Sequence, residues 1–188
     1  MNPLTSVKGT IVSSFVLALI VAFYFSTDSS SLFDEVGQRN LAIWFHALSG
    51  VTWVGLLYYF NFVQTPAMAE ALSDEGGPGP AAIGKYIAPK ALLWFRMAAA
   101  ATWLTGAWAL EMKYGFIDAF LFKTIYGASG DMIGLGAWLG TIMLFNVWVL
   151  IWPNQKKILG MVEASAEEIA KAKFTAAMAS RTNVVLSV

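Results

Sequence analysis

His46 is the only histidine in the 188-residue chain, and it falls in the first half of a long apolar run. An ionisable ring placed in hydrocarbon is costly unless it is paired or coordinating, so its position points to function. At helical spacing, Gly50 follows one turn later and Trp53 two, setting a small residue and an indole on the face of the imidazole. That arrangement suits the planar edge of a haem, with neutral His46 as axial ligand. A histidine hydrogen-bonded to a neighbouring helix, or lining a polar cavity, fits the same spacing, and both readings stand. With one histidine per chain, a second axial ligand has to be methionine, water or a residue of another subunit. Arg96 lies a few residues inside a later apolar run. Either it snorkels to the interface or it faces an anionic group such as a haem propionate or a carboxylate substrate. The candidate cofactor set is therefore His46, Gly50, Trp53 and Arg96, with His46 as the metal ligand.

Other chemistries are excluded by what is missing. There are no cysteines, which removes disulfides, thiolate metal sites, iron–sulfur clusters and covalent c-type haem. Any haem is held non-covalently. One histidine assembles no convincing Ser-His-Asp set, and neither a phosphate-cradling glycine loop nor a His-rich metal motif is present. Twelve basic residues balance twelve acidic ones, so there is no basic field to attract nucleic acid.

The elements that must position these residues are helices in a bilayer. The chain is 57% hydrophobic and 13% charged, about half the charge of a soluble domain. Four runs are long and apolar enough to cross a bilayer, which takes about 17–25 helical residues: 10–26, 41–63, 91–112 and 132–152. The first follows Lys8 and precedes Ser29-Ser30-Ser31, a weak cleavage-site match, but its length favours an uncleaved helix. Residues 64–90, with Gly76-Gly77-Pro78-Gly79-Pro80, are expected to form a cytoplasmic loop. Asp131 is expected to cap the fourth span and Pro153-Asn154 to end it. Ser165-Ala166-Glu167-Glu168 has capping-box spacing and opens a cytoplasmic amphipathic helix over about 166–180, with Glu167 and Lys171 four residues apart. The expected fold is thus an all-α integral membrane bundle of about four transmembrane helices plus that C-terminal helix. Lys8, Lys85, Lys90, Lys156, Lys157, Lys171, Lys173 and Arg181 fall on one side of such a threading, and Arg39, Lys113 and Lys123 on the other. Both termini are therefore expected to be cytoplasmic.

Association has its own signals. Gly136 and Gly140 have the small-residue spacing that lets helix backbones approach closely, and the amide of Asn146, deeper in the same span, must find a partner across helices. It is either glue or part of a site. Glu111 and Lys113 suggest a solvated pair at a span end. Trp44, Trp94 and Trp152 read as interfacial anchors, and the cluster Trp53, Tyr58, Tyr59, Phe60 and Phe62 as membrane-facing aromatics rather than an electron path. The lipid bilayer is one partner, and other membrane subunits or copies of this chain are the next.

Four blocks carry a family resemblance. Trp44-Phe45-His46-Ala47-Leu48-Ser49-Gly50-Val51-Thr52-Trp53-Val54-Gly55-Leu56-Leu57-Tyr58-Tyr59-Phe60-Asn61 resembles the signature helix of the bacterial membrane-bound urate oxidase (urate hydroxylase) N-terminal domain family. Pro89-Lys90-Ala91-Leu92-Leu93-Trp94-Phe95-Arg96 with Thr102-Trp103-Leu104-Thr105-Gly106 resembles its next helix. Asn146-Val147-Trp148 with Ile151-Trp152-Pro153-Asn154-Gln155-Lys156-Lys157, and Arg181-Thr182-Asn183, resemble two further blocks. His46 and Arg96 match family positions. The resemblance implies an all-helical domain of the bacterial inner membrane, coupled in full-length members to a c-type cytochrome that accepts electrons from urate. No Cys-x-x-Cys-His occurs here, so the chain is expected to be a short form without the cytochrome or an incomplete piece of a longer sequence. Three functions are carried forward. The first is a membrane subunit of a larger redox or respiratory-type assembly, binding haem and assisting electron transfer. The second is a cofactor-free structural or accessory subunit. The third is a urate-type oxidase that passes electrons to a separate cytochrome. Any enzymatic activity is expected to be that of an oxidoreductase.

Overall fold

The computed structural model describes residues 2–25 and 34–187, and every regular element among them is helical. Ser29-Ser30-Ser31 lies outside the described residues. The chain divides into two units, Met1–Leu41 and Ala42–Val188.

In the first unit a short 3-10 turn, Pro3–Thr5, is opened by Asn2, whose side chain accepts from the Leu4 N–H at 2.9 Å. Helix α1 (Val7–Phe25) follows. None of its described side chains is buried. A helix apolar on all sides suits lipid surroundings, and its polar groups fold back on the backbone. Thr10 Oγ1 donates to Ser6 O at 3.1 Å, and Ser14 Oγ to Thr10 O at 3.0 Å. The Asp34 carboxylate accepts from Gly37 N–H at 2.7 Å and caps α2 (Glu35–Tyr59).

The long helices continue through prolines by one repeated device. Segments Phe60–Gln64, Ile83–Ile87 and Asn146–Ile151 are π-helical, and each ends just before an X-Pro pair. In each case the residue preceding proline donates five residues back: Thr65 to Phe60, Ala88 to Ile83 and Trp152 to Val147. A proline ring clashes with the carbonyl four residues behind it and supplies no N–H. The wider π turn moves that carbonyl aside. Asparagine amides serve the same turns, Asn61 Nδ2 donating to Leu57 O at 2.8 Å and Asn154 Nδ2 to Leu150 O at 2.7 Å.

Two sequence expectations change for this reason. Pro66 and Pro89 do not confine the chain to a loop over 64–90, because α3 (Thr65–Ser73) extends the second helix and α4 (Ala88–Glu111) follows a π turn. Pro153 does not end the fourth span, which runs through α6 (Ala128–Phe145) into α7 (Trp152–Ile158). Three described helical runs, Val7–Tyr24, Glu35–Ser73 and Ala128–Ile158, are long and apolar enough to cross a membrane. Helix α4 is not among them, since Lys90, Arg96, Glu111 and its threonines and tryptophans dilute its apolar character.

Helix α8 (Ala166–Leu186) opens on the expected capping box. Ser165 Oγ accepts from Glu168 N–H, and the Glu168 carboxylate accepts from Ser165 N–H at 2.8 Å. Glu168 also pairs with Lys157 at 3.5 Å, whereas no Glu167–Lys171 bridge forms among the described residues. The helix does not stand apart from the bundle. It packs antiparallel on α7 and the preceding π turn, burying Ala172, Ala176, Ala179 and Asn183 along one seam. The core of the second unit therefore draws on α2, α4, the α6–α7 run and α8, through Trp53, Leu57, Phe95, Ala98, Ala99, Met143, Val147, Ile151 and Ala179. Leu57 is fully buried.

The Ser165 N–H and, after it, the Lys157 charge hold the Glu168 carboxyl below its ordinary value of 4.5. A carboxyl depressed in the folded state adds stability above that ordinary value and loses it as pH falls through the folded one. Amide protection over residues 165–169, relative to the intrinsic exchange rate at each pH, is therefore expected to fall below about pH 4.5, while the α2–α4 core holds. Ser165→Ala should cost about 1 kcal/mol and produce the same local loosening at neutral pH. Unchanged exchange in that variant would refute the cap's role.

Candidate functional site

The sequence-derived site residues lie on α2 and α4 and are only partly brought together. His46 is exposed on α2, and its Nδ1 lies 2.8 Å from the backbone carbonyl of Thr102 on α4. A carbonyl only accepts, so Nδ1 carries the proton. In the neutral ring Nε2 is then left with a free lone pair. A histidine fixed through Nδ1–H to a backbone carbonyl, with Nε2 left as the acceptor nitrogen, is the arrangement that metal-ligating imidazoles use. Thr102 is itself held, its Oγ1 donating to Ala98 O at 2.7 Å.

The residue that makes room for the ring is Gly106. A Cβ there would lie 2.9 Å from both Cε1 and Nδ1 of His46. Gly50 does not serve this purpose. A Cβ at Gly50 would meet Thr102 Cγ2 at 3.8 Å, an ordinary contact. Trp53 lies two turns along α2 from His46 and belongs to the core, 4% exposed, its Nε1 without a hydrogen-bond partner among the described residues. Arg96 is not beside His46 either. It stands six residues before Thr102 on α4, an axial rise of about 9 Å, and its guanidinium stacks 3.8 Å from the Trp152 ring centroid. Thr102 and Gly106 are the site residues that sequence reasoning passed over. Both lie in the Thr102–Gly106 block that carried the family resemblance, but the α2–α4 register that turns them towards His46 is tertiary information.

The remaining candidates resolve into packing. Asn146 Nδ2 donates to Asn183 Oδ1 at 2.8 Å, and Asn183 Nδ2 to Met143 O at 3.0 Å, all buried. Asn146 is glue between α6 and α8. Gly136 and Gly140 face open space within this chain, since a Cβ added at either would meet nothing within 4 Å. The close approach is made instead by Gly130, against Thr124, and Gly134, against Ala119 O and the Phe122 ring. The N-cap position of α6 is taken by Gly127, at φ 55°, rather than by Asp131, which lies in the first turn. There its charge still meets the helix dipole favourably. Glu111 accepts from Phe116 N–H at 2.8 Å and Lys113 lies over the Tyr114 and Tyr126 rings, so these two do not pair. Trp94 is exposed, Trp44 packs edge-on against Phe45, and Phe60 packs edge-on against Phe95.

Among the described residues every regular element is helical, three helical runs are long and apolar enough to cross a membrane, and one of them carries a histidine held through Nδ1. Residues 112–188 match the model of the urate oxidase N-terminal family. That stretch contains the Asn146–Lys157 and Arg181–Asn183 blocks, while His46, Thr102, Gly106 and Arg96 precede it. The search of curated proteins and the search of solved structures found no match.

Proposed function

We propose that this chain is an integral membrane subunit of a redox assembly, in which His46 offers Nε2 to a haem. The observation that carries this is the 2.8 Å contact of His46 Nδ1 with the Thr102 carbonyl, which fixes tautomer and ring plane and leaves Nε2 free. The residues present would hold such a group through His46: Thr102 orients the imidazole, Gly106 gives it clearance, and the exposed position of the ring leaves it accessible. A haem held there would supply one-electron transfer. In this reading α4 is a fourth crossing helix, shielded where Leu92, Phe95, Ala98 and Ala99 are buried, and the chain resides in a bacterial inner membrane.

A reduced-minus-oxidised absorption spectrum of protein purified from haem-supplied cells tests the proposal. A Soret band is expected, abolished in His46→Ala. Gly106→Ala should lower haem occupancy several-fold with unchanged helical circular dichroism, because the added methyl displaces only the ring. A featureless spectrum of the wild-type protein would sink the haem reading and leave a cofactor-free accessory subunit. The open Gly136–Gly140 face suits that role, since it permits helix association.

The family match favours a second reading, a urate-type oxidase. Urate loses two electrons in such a reaction, and a separate c-type cytochrome takes them up one at a time. Urate consumption and cytochrome reduction should then run in a one-to-two ratio, and turnover no higher than without the protein would dismiss this reading.

A further inference from the structure

Away from His46, at the end of the second unit where α4 begins and α7 ends, two cations gather over one indole. Arg96 Cζ lies 3.8 Å from the Trp152 ring centroid and Lys156 Nζ 5.8 Å from it. Trp152 and Lys156 are four residues apart on α7 and so share a face, while Arg96 reaches them from α4. All three side chains are half-buried. Neither cation has a carboxylate within ion-pair distance among the described residues, and the neighbouring Lys157 is already engaged by Glu168. The Arg96 guanidinium makes no hydrogen bond to a described residue.

The indole face attracts both cations, but it offers no negative charge to quench their mutual repulsion. Lys156, in the last turn of α7, gains something from the helix dipole. Arg96, eight residues into α4, gains nothing of the kind. Stacking holds the guanidinium plane and leaves its N–H edges unsatisfied, in the fork geometry that matches two oxygens of one phosphate. A half-buried Trp with Arg and Lys is also the composition of a headgroup-level belt, where an aromatic body sits in hydrocarbon and cations sit among phosphates.

We propose that Arg96, Trp152 and Lys156 form a seat for the phosphate of an acidic phospholipid headgroup. Arg96 holds two non-bridging oxygens, Lys156 adds the second positive charge, and Trp152 fixes the guanidinium between the two helices. The seat is independent of haem at His46, since it uses neither that residue nor its partners.

The test is reconstitution of the full chain in nanodiscs of phosphatidylcholine alone or mixed with phosphatidylglycerol, followed by mass spectrometry of the lipid retained after detergent extraction. Phosphatidylglycerol should be enriched several-fold over its share of the mixture. Arg96→Gln and Lys156→Gln should each cut that enrichment several-fold, Arg96→Lys should retain part of it, and Lys173→Gln, at an exposed position on α8, should leave it intact. Enrichment that survives both glutamine variants, or that falls equally in Lys173→Gln, overturns the seat in favour of diffuse attraction. Displacement of the lipid by inorganic phosphate, and not by sodium chloride of equal ionic strength, overturns the lipid as ligand and marks a free-anion site. Circular dichroism of each variant separates lost binding from lost folding, and Arg96→Lys keeps the question open to refutation if Arg96→Gln does not fold.

Discussion

Asn183→Leu is expected to lower the thermal midpoint of the detergent-solubilised protein more than any other single change at an α8 side chain. Asn183 is fully buried, and its amide closes a two-step ladder from Asn146 to the Met143 carbonyl. The geometry dictates both amide orientations. Met143 O only accepts, so Asn183 Nδ2 faces it, which turns Asn183 Oδ1 to Asn146 and makes the Asn146 amide the donor. Leucine is close in size, so the substitution leaves no large cavity. What it leaves is an Asn146 N–H without its acceptor and a carbonyl without its side-chain donor, at about 1–3 kcal/mol for a buried orphan. Interhelical polar pairs in membranes run somewhat lower, about 0.6 to 2 kcal/mol. A loss of about 2 kcal/mol corresponds to roughly 4–8 °C for a chain of this size. Asn146→Leu combined with Asn183→Leu should recover part of it, because the orphaned Asn146 amide is then gone and only the Met143 carbonyl still lacks its side-chain donor. A midpoint shift under about 1 °C would show that the ladder contributes little.

Gly134→Ala is expected to dislodge the α5 segment (Phe116–Phe120) and the turn after it. The added methyl would collide with the backbone carbonyl of Ala119 and crowd the Phe122 ring, whose nearest carbons would lie 3.2 Å away. Backbone does not yield as a flexible side chain does, and overpacking of this kind costs about 1–3 kcal/mol. Phe122 itself has φ 55°, an uncommon conformation for a bulky residue that persists only when its surroundings impose it. The Trp138 Nε1 donation to Phe120 O at 3.0 Å and the edge-on Phe120–Trp138 contact are parts of the same docking. Limited proteolysis should therefore cut Gly134→Ala near residues 121–127 well before the wild type. Gly136→Ala, two residues along the same helix with open space around it, should leave stability within about 0.5 kcal/mol. If Gly136→Ala proves the more damaging in detergent, the packing face of α6 has been assigned to the wrong glycines.

Much of this architecture was legible because it is written in local pattern. The apolar runs of α1, α2 and α6 are long enough to declare themselves as helices able to cross a membrane, and the Ser165 to Glu168 spacing announced the start of α8. Proline was misleading for a definite reason. As a local signal it ends helices, but three π turns absorb Pro66, Pro89 and Pro153, so one helical run extends to Ser73 and another to Ile158. Glycine misled in a similar way. Gly130 and Gly134 have the same four-residue spacing as Gly136 and Gly140, and nothing local distinguishes the pair that meets a neighbour from the pair that does not.

The site divides along the same line. Composition and position along the chain alone determined that the single histidine lies in a helix long and apolar enough to cross a membrane, that the chain offers it no cysteine or second histidine, and that Arg96 is a cation inside an apolar run. Only the tertiary structure decided that Thr102 and Gly106 are the histidine's neighbours, that Trp53 belongs to the core, and that Arg96 joins Trp152 and Lys156. Helical periodicity states which residues share a face. Register between two helices depends on how their side chains interlock along the whole contact, and no short stretch of sequence contains both sides of it.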